Sequence, residues 1–153
     1  MIIWQCIFWL CVLLIMHSYL LFPWLLQILA SNKKENSEKY PENEFPSLTV
    51  LMSVYNEQKV LEEKLNSLLA SNYPLNKINI LIGSDASEDG TGEILNEFQN
   101  THSKIKAIHF KERQGKPAVI NSLMKEVKDE IVIMTDAKVI FHPDTIRGLA
   151  AHF

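Results

Sequence analysis

The sequence predicts an α/β fold, a mostly parallel sheet with flanking helices, preceded by one transmembrane helix. Four short apolar runs, at 48–54, 78–82, 105–110 and 131–134, alternate with segments of helical period. Strands that alternate with helices build βαβ units and hence parallel pairing with right-handed crossovers. The runs are continuously apolar rather than alternating, as expected where helices cover both faces of a sheet. Ahead of them, Ile2 to Ala30 contains no Asp, Glu, Lys or Arg, and a bilayer span needs only about 20 apolar residues.

The first element, 2–30, reads as a membrane anchor. A cleaved signal would carry a basic start, a shorter apolar core and a small-x-small site, whereas only Met1 precedes this run. The rival reading, a secreted domain behind a signal peptide, requires cleavage near Ala30. Pro23 predicts a kink, tolerable because local backbone adjustment can satisfy the carbonyl it frees. Trp4, Trp9, Tyr19 and Trp24 suit aromatic interface belts, and Gln5 and His17 suit helix contacts or the interface. Lys33, Lys34 and Lys39 follow the span while only the terminal amine precedes it. That bias predicts a cell-membrane protein whose soluble part faces the cytosol. Residues 31–46, polar, charged and proline-bounded, read as a linker.

The soluble part, 47–153, is long enough for one hydrophobic core. Val60, Leu61, Leu65, Leu68 and Leu69 predict a helix over 57–70, ended by Asn72-Tyr73-Pro74. A helix opening near Asp89 to Gly92 turns Ile94, Leu95 and Phe98 inward. Another, 116–127, has Pro117 in its first turn, where a missing N–H costs nothing, and buries Val119, Ile120, Leu123, Met124 and Val127. Asp144 caps, or supplies a first-turn acid to, a last helix that the end at Phe153 interrupts. With 17 residues after Asp136, the chain reads as truncated.

Composition excludes several function classes. The net charge is −3 and lysines are interspersed with acids, so no basic face for nucleic acid is expected. Cys6 and Cys11 both lie in the apolar span, which implies neither disulfides nor a zinc site. Gly90-Thr91-Gly92 is followed by Leu95 where a dinucleotide fingerprint needs glycine, and Gly115-Lys116 is preceded by Phe110 and followed by Pro117 where a P-loop needs Gly and Ser or Thr. His102, His109, His142 and His152 show no metal-ligand spacing.

What remains is carboxylate at strand ends. Glu57, Asp85 with Asp89, and Asp136 each follow an apolar run, and ligands in open α/β sheets bind outside the carboxyl ends of strands. Asp85 suits a uracil imide or a ribose hydroxyl, or else forms a turn; Asp89, beside Gly90, reads as a turn residue. Glu57 suits either a ligand or the first-turn helix dipole. Lys116, a cation at a predicted helix start, is poorly explained by helix stabilisation and suits a phosphate or a nucleobase carbonyl. Asp136, after four apolar residues, reads as a charge in want of a partner such as a divalent cation.

The segments 47–57, 85–91, 113–121 and 135–137 resemble, in order and spacing, the motifs of family 2 glycosyltransferases. The resemblance implies a partial GT-A fold, an inverting sugar transfer and a nucleotide-sugar donor, usually a UDP-sugar. It implies a divalent cation, Mn or Mg, bridging the donor diphosphate and the protein. It assigns Tyr55 and Glu57 to the nucleoside, Asp85 to uracil or ribose, Lys116 and Arg113 to the nucleotide, and Asp136 to the ribose and the metal. The acceptor, a glycan or lipid-linked sugar, is not specified, and the catalytic base is expected beyond Phe153, so that this chain alone is expected to be inactive.

Position 138 departs from the pattern. Where the family's D-x-D motif has its second acid, this chain has Lys138, and an ammonium offers three donors and no acceptor. Three outcomes are open: weakened metal binding, Lys138 itself neutralising the diphosphate, or an altered enzyme; the second is preferred. A non-catalytic nucleotide-sugar-binding or assembly subunit is the alternative function.

Overall fold

A computed structural model of the chain describes residues 1–31 and 45–153. It divides into two compact units, Met1–Ser37 and Glu38–Phe153. The expected linker lies largely outside the described residues, and Lys33, Lys34 and Lys39 with it.

In the first unit, helix α1 (Ile2–Met16), a π-helical turn (His17–Leu21) and helix α2 (Phe22–Ser31) follow one another. The stretch Ile2–Leu29, in which an 18-residue window reaches a mean hydropathy of 2.0, is long and apolar enough to cross a membrane. The π-turn lies immediately before Pro23. A proline in a helix clashes with the carbonyl four residues back and removes one hydrogen bond, and widening that turn is the backbone adjustment found here: Phe22 N–H reaches the His17 carbonyl, five residues back.

In the second unit, strands β1 (Leu48–Val54), β2 (Ile78–Asp85), β3 (Ile105–Phe110) and β4 (Ile131–Thr135) form one parallel sheet in the order β3-β2-β1-β4. Between them run helices α3 (Gln58–Leu69), α4 (Thr91–Thr101) and α5 (Lys116–Met124), with α6 (Thr145–Ala150) after β4. The continuous apolar runs are explained by the two cores. Leu48, Val50, Met52 and Val54 of β1 pack with Leu61, Leu65, Leu95 and Ile146 on one face. Leu51 and Leu81 pack with Val119 and Leu123 of α5 on the other. Phe45, at the end of the expected linker, is buried in the first core against Tyr73, ring centroids 4.8 Å apart.

Two sequence expectations shift. β2 runs three residues past Ile82, because Gly83, Ser84 and Asp85 keep pairing with β3 and Gly83 and Ser84 with β1. Gly83 is needed there: a Cβ would lie 2.3 Å from Val119 Cγ1, so the residue lets α5 approach the sheet. Helix α5 ends at Met124 rather than Val127, since Lys125, Glu126 and Val127 turn back onto carbonyls three residues earlier. Met124, expected inside, is consequently 43% exposed.

The strand order positions the site. From β1 the chain builds outward through β2 to β3, then returns to place β4 on the opposite side of β1. The β1/β4 boundary is therefore a switch point, where loops leaving adjacent strands diverge and open a crevice.

Candidate functional site

At the carboxyl ends of the strands lies a cleft of about 460 Å³ lined by Tyr55, Glu57, Asp85, Arg113, Lys116 and Asp136, together with Lys138 and Val139. All six residues singled out in the sequence thus converge, although 81 positions separate Tyr55 from Asp136.

The floor of the cleft is built by Asp85. Its side chain is only 3% exposed, and its two oxygens accept the backbone N–H groups of Gln114 at 2.7 Å and Gly115 at 2.9 Å. Gly115 holds φ +85° and ψ 152°, a conformation open to glycine, and this turns the chain from the loop after β3 into α5. Asp85 is therefore first a clamp on the 113–116 loop. Each carboxylate oxygen has two acceptor sites, so one remains on each for a ligand.

The loop so held carries two cations. The Arg113 guanidinium lies 3.9 Å from the centroid of the Tyr55 ring, at cation–π distance. Lys116 Nζ, at the start of α5, donates to Asp136 Oδ1. Asp136, a charge in want of a partner by its place in the sequence, finds one in the protein: the chain leaves the sheet at Thr135, and the side chain is 56% exposed and paired with Lys116. Across the cleft, Lys138 Nζ lies 3.6 Å from Glu57 Oε1. Glu57 is the N-cap of α3 but makes no side-chain cap bond, which leaves its carboxylate turned to Lys138.

Asp89 is the structural acid that its neighbour Gly90 suggests. It accepts the Gln58 N–H at 3.1 Å and the Thr91 N–H at 3.0 Å, joining the amino ends of α3 and α4. Burial pushes its pKa up, but the hydrogen bonds from Thr91 and Gln58 outweigh this and hold it below the ordinary value. Asp144 caps no helix N–H with its side chain; it accepts from Asn72 Nδ2 at 2.7 Å instead.

Sequence reasoning missed Lys64. It is fully buried in α3, and its Nζ donates to Thr135 Oγ1 at 3.1 Å and to the Val139 carbonyl at 2.5 Å, 3.6 Å from the centroid of the Phe141 ring. It thereby fastens both ends of the segment that carries Asp136 and Lys138. Burial pushes its pKa down to about 8, partly opposed by the Asp136 carboxylate. The signal was the spacing: Lys64 stands three residues after Leu61 and four before Leu68, on the apolar stripe itself.

The donor set does not fit a protein-held metal centre. Asp85 is occupied by backbone N–H groups, Glu57 and Asp136 face ammonium groups, and among the described residues no three His, Cys, Asp or Glu side chains are grouped to hold an ion.

The chain is 31% identical over 109 residues to the Bacillus subtilis protein named "Probable glycosyltransferase YdaM", covering 68% of this chain and 26% of that protein. The mannosyltransferase PcManGT from Pyrobaculum calidifontis, solved with GDP-Man and Mn2+, superposes with a TM-score of 0.69 at 26% identity, over 92% of this chain and 42% of that one. Residues 1–349 of TarS from S. aureus, solved with UDP-GlcNAc, give a TM-score of 0.63 at 25% identity, over 69% of this chain and 30% of that one. The chain thus spans between about a quarter and two fifths of the length of these relatives. The sequence profile of glycosyl transferase family 2 matches residues 49–153, the whole α/β unit from β1 onward, and the chain belongs to that family.

Proposed function

We propose that the chain is the donor-binding portion of a membrane-anchored glycosyltransferase that takes a UDP-sugar and transfers the sugar with inversion. The observation that carries this reading is the convergence of Tyr55, Glu57, Asp85, Arg113, Lys116 and Asp136 on one cleft at the switch point of the sheet. Nucleotide sugars in two structural neighbours, UDP-GlcNAc in TarS and GDP-Man in PcManGT, support the ligand class.

The residues divide the task by chemistry. Tyr55, backed by Arg113, offers a ring face for a base, and the free acceptor sites of Asp85 suit an imide N–H or a ribose hydroxyl. Asp136 suits the ribose, and Lys116 the phosphates, as charge-assisted partners. A divalent cation is common in this fold and is present in PcManGT; Asp136 would be its carboxylate ligand here, yet the donor set, with each acid already facing a donor of the protein, does not fit one. The apolar stretch Ile2–Leu29 would hold the unit at a membrane, and the lysines after it favour the cytosolic face.

Isothermal titration of the detergent-extracted full chain with UDP, UDP-GlcNAc and GDP-mannose tests the reading. Binding of UDP and of a UDP-sugar is the expected result. Heat-silent titrations with all three, supported by unchanged thermal midpoints, would refute the donor site.

A further inference from the structure

Three acids and three bases line the cleft: Glu57, Asp85 and Asp136 against Arg113, Lys116 and Lys138. The acids are spent on the protein itself. Asp85 takes two backbone N–H groups, Asp136 takes Lys116, and Glu57 takes Lys138. Magnesium is ordinarily bound through one or two carboxylates together with substrate phosphates, whereas here Asp85 faces backbone N–H groups and Glu57 and Asp136 each face an ammonium. The two ion pairs are weak. The Lys116 and Lys138 side chains are 56% and 73% exposed, and exposed ion pairs contribute only about 0–1 kcal/mol.

We infer that Lys138, with Lys116, supplies the positive charge that faces the donor diphosphate, so that nucleotide binding in this chain needs no divalent cation. The inference rests on the nucleotide-sugar reading above and gives that site its source of charge. An acid at position 138 would make the cleft two charges more negative, and two charges are what a divalent cation restores. A lysine there brings the charge on the chain itself. Its partner Glu57 is a single carboxylate in a partly exposed pair, so a diphosphate, with more negative charge and more acceptor oxygens, outcompetes it for the ammonium. Lys64 fixes the ends of the segment on which Lys138 stands, which keeps its stem directed at the cleft while the ammonium exchanges partners.

The test is UDP titration of the full chain at constant ionic strength, once with EDTA and once with Mn²⁺ or Mg²⁺. Wild type is expected to bind with affinities that agree within about three-fold, well inside one decade of Kd per 1.4 kcal/mol. Lys138→Ala, a change at an exposed position, keeps its thermal midpoint and binds UDP about five-fold more weakly in EDTA. Lys138→Asp binds poorly in EDTA and recovers with Mn²⁺, a metal requirement created by one substitution. A wild type that tightens ten-fold or more with metal overturns the inference, and so does Lys138→Ala binding UDP as wild type does. UDP failing to bind under every condition is a different result, since it removes the nucleotide site itself.

Discussion

Replacing Asp85 by Asn separates the scaffold of the cleft from its ligand chemistry. The substitution keeps the side-chain shape, removes the charge and turns one oxygen into a donor. That group would then face either the Gln114 or the Gly115 N–H, now accepted at 2.7 and 2.9 Å by a side chain 3% exposed. Hydrogen bonds to charged groups contribute about 1.5–3 kcal/mol net and neutral ones about 0.5–1.5. One bond weakens by about 1 kcal/mol and the other is lost with its N–H unsatisfied, so the expected destabilisation is about 3 kcal/mol. That is a large share of the roughly 5–15 kcal/mol that holds a domain together. Urea unfolding of the full chain, followed by circular dichroism, reads it as a lowered midpoint at unchanged slope. A variant within about 0.5 kcal/mol of wild type would refute the clamp, because buried charge-assisted bonds are not so cheaply lost. At low urea the folded variant should also bind UDP more weakly, since the 113–116 loop is released. Full UDP affinity beside reduced stability would mean that this loop is no part of the site.

Ala86 holds φ 55° without being glycine; Ala86→Gly should therefore stabilise by about 0.5–1 kcal/mol, the left-handed cost less the entropy of glycine, and a lower urea midpoint would contradict this. Gly83→Ala should destabilise by about 1–3 kcal/mol through overpacking against Val119, with α5 the first helix to lose amide protection in hydrogen exchange; uniform protection would count against it. Lys64 titrates near 8 in the fold, pushed down by burial and partly held up by Asp136, against 10.5 ordinarily. Between those values the unfolded chain binds a proton that the folded chain has released, so wild-type stability should rise with pH. Relative to Lys64→Met, wild type should gain stability between about pH 8 and 10.5; a flat difference across that window would refute the shift.

The parts of the molecule legible in the sequence are those whose signal is local. β1 and β3 declare themselves by apolar runs with limits that the structure matches, Leu48–Val54 and Ile105–Phe110. β2 is legible only in part, because hydrophobicity stops at Ile82 while strand pairing continues through Asp85. The residues of the cleft were visible as types at strand ends, but their partners were not. Asp85 meets amides 29 and 30 positions away, and Lys64 meets groups 71 and 75 positions away. No periodicity reports such pairings. Lys64 was hidden for a further reason: long cationic side chains are almost never fully buried unless paired, so a lysine on an apolar stripe reads as an interruption.

The cleft has a fixed half and an exchangeable half. Around β1 and β2 the loops are sewn together by side chain–backbone bonds: Ser87 Oγ accepts the Asn56 N–H, Asn56 Oδ1 the Glu88 N–H, Thr91 Oγ1 the Glu57 N–H, and Gln58 Oε1 the Gly90 N–H. Asp89 and Asp85 complete this set, and a ligand displacing any of these bonds would leave backbone N–H groups unpaired, at about 1–3 kcal/mol where they are buried. The Lys116–Asp136 and Lys138–Glu57 pairs are exposed and interchangeable by contrast. An anion entering between them gives each lysine a new partner and releases each acid to water, a trade that costs little in high dielectric. The acids at the strand ends, the feature most visible in the sequence, hold a loop at Asp85 and pair with ammonium groups at Asp136 and Glu57. In the proposed donor site recognition of the phosphates would fall to Lys116 and Lys138, and added salt should weaken UDP binding by screening these exposed charges while leaving the loop framework in place.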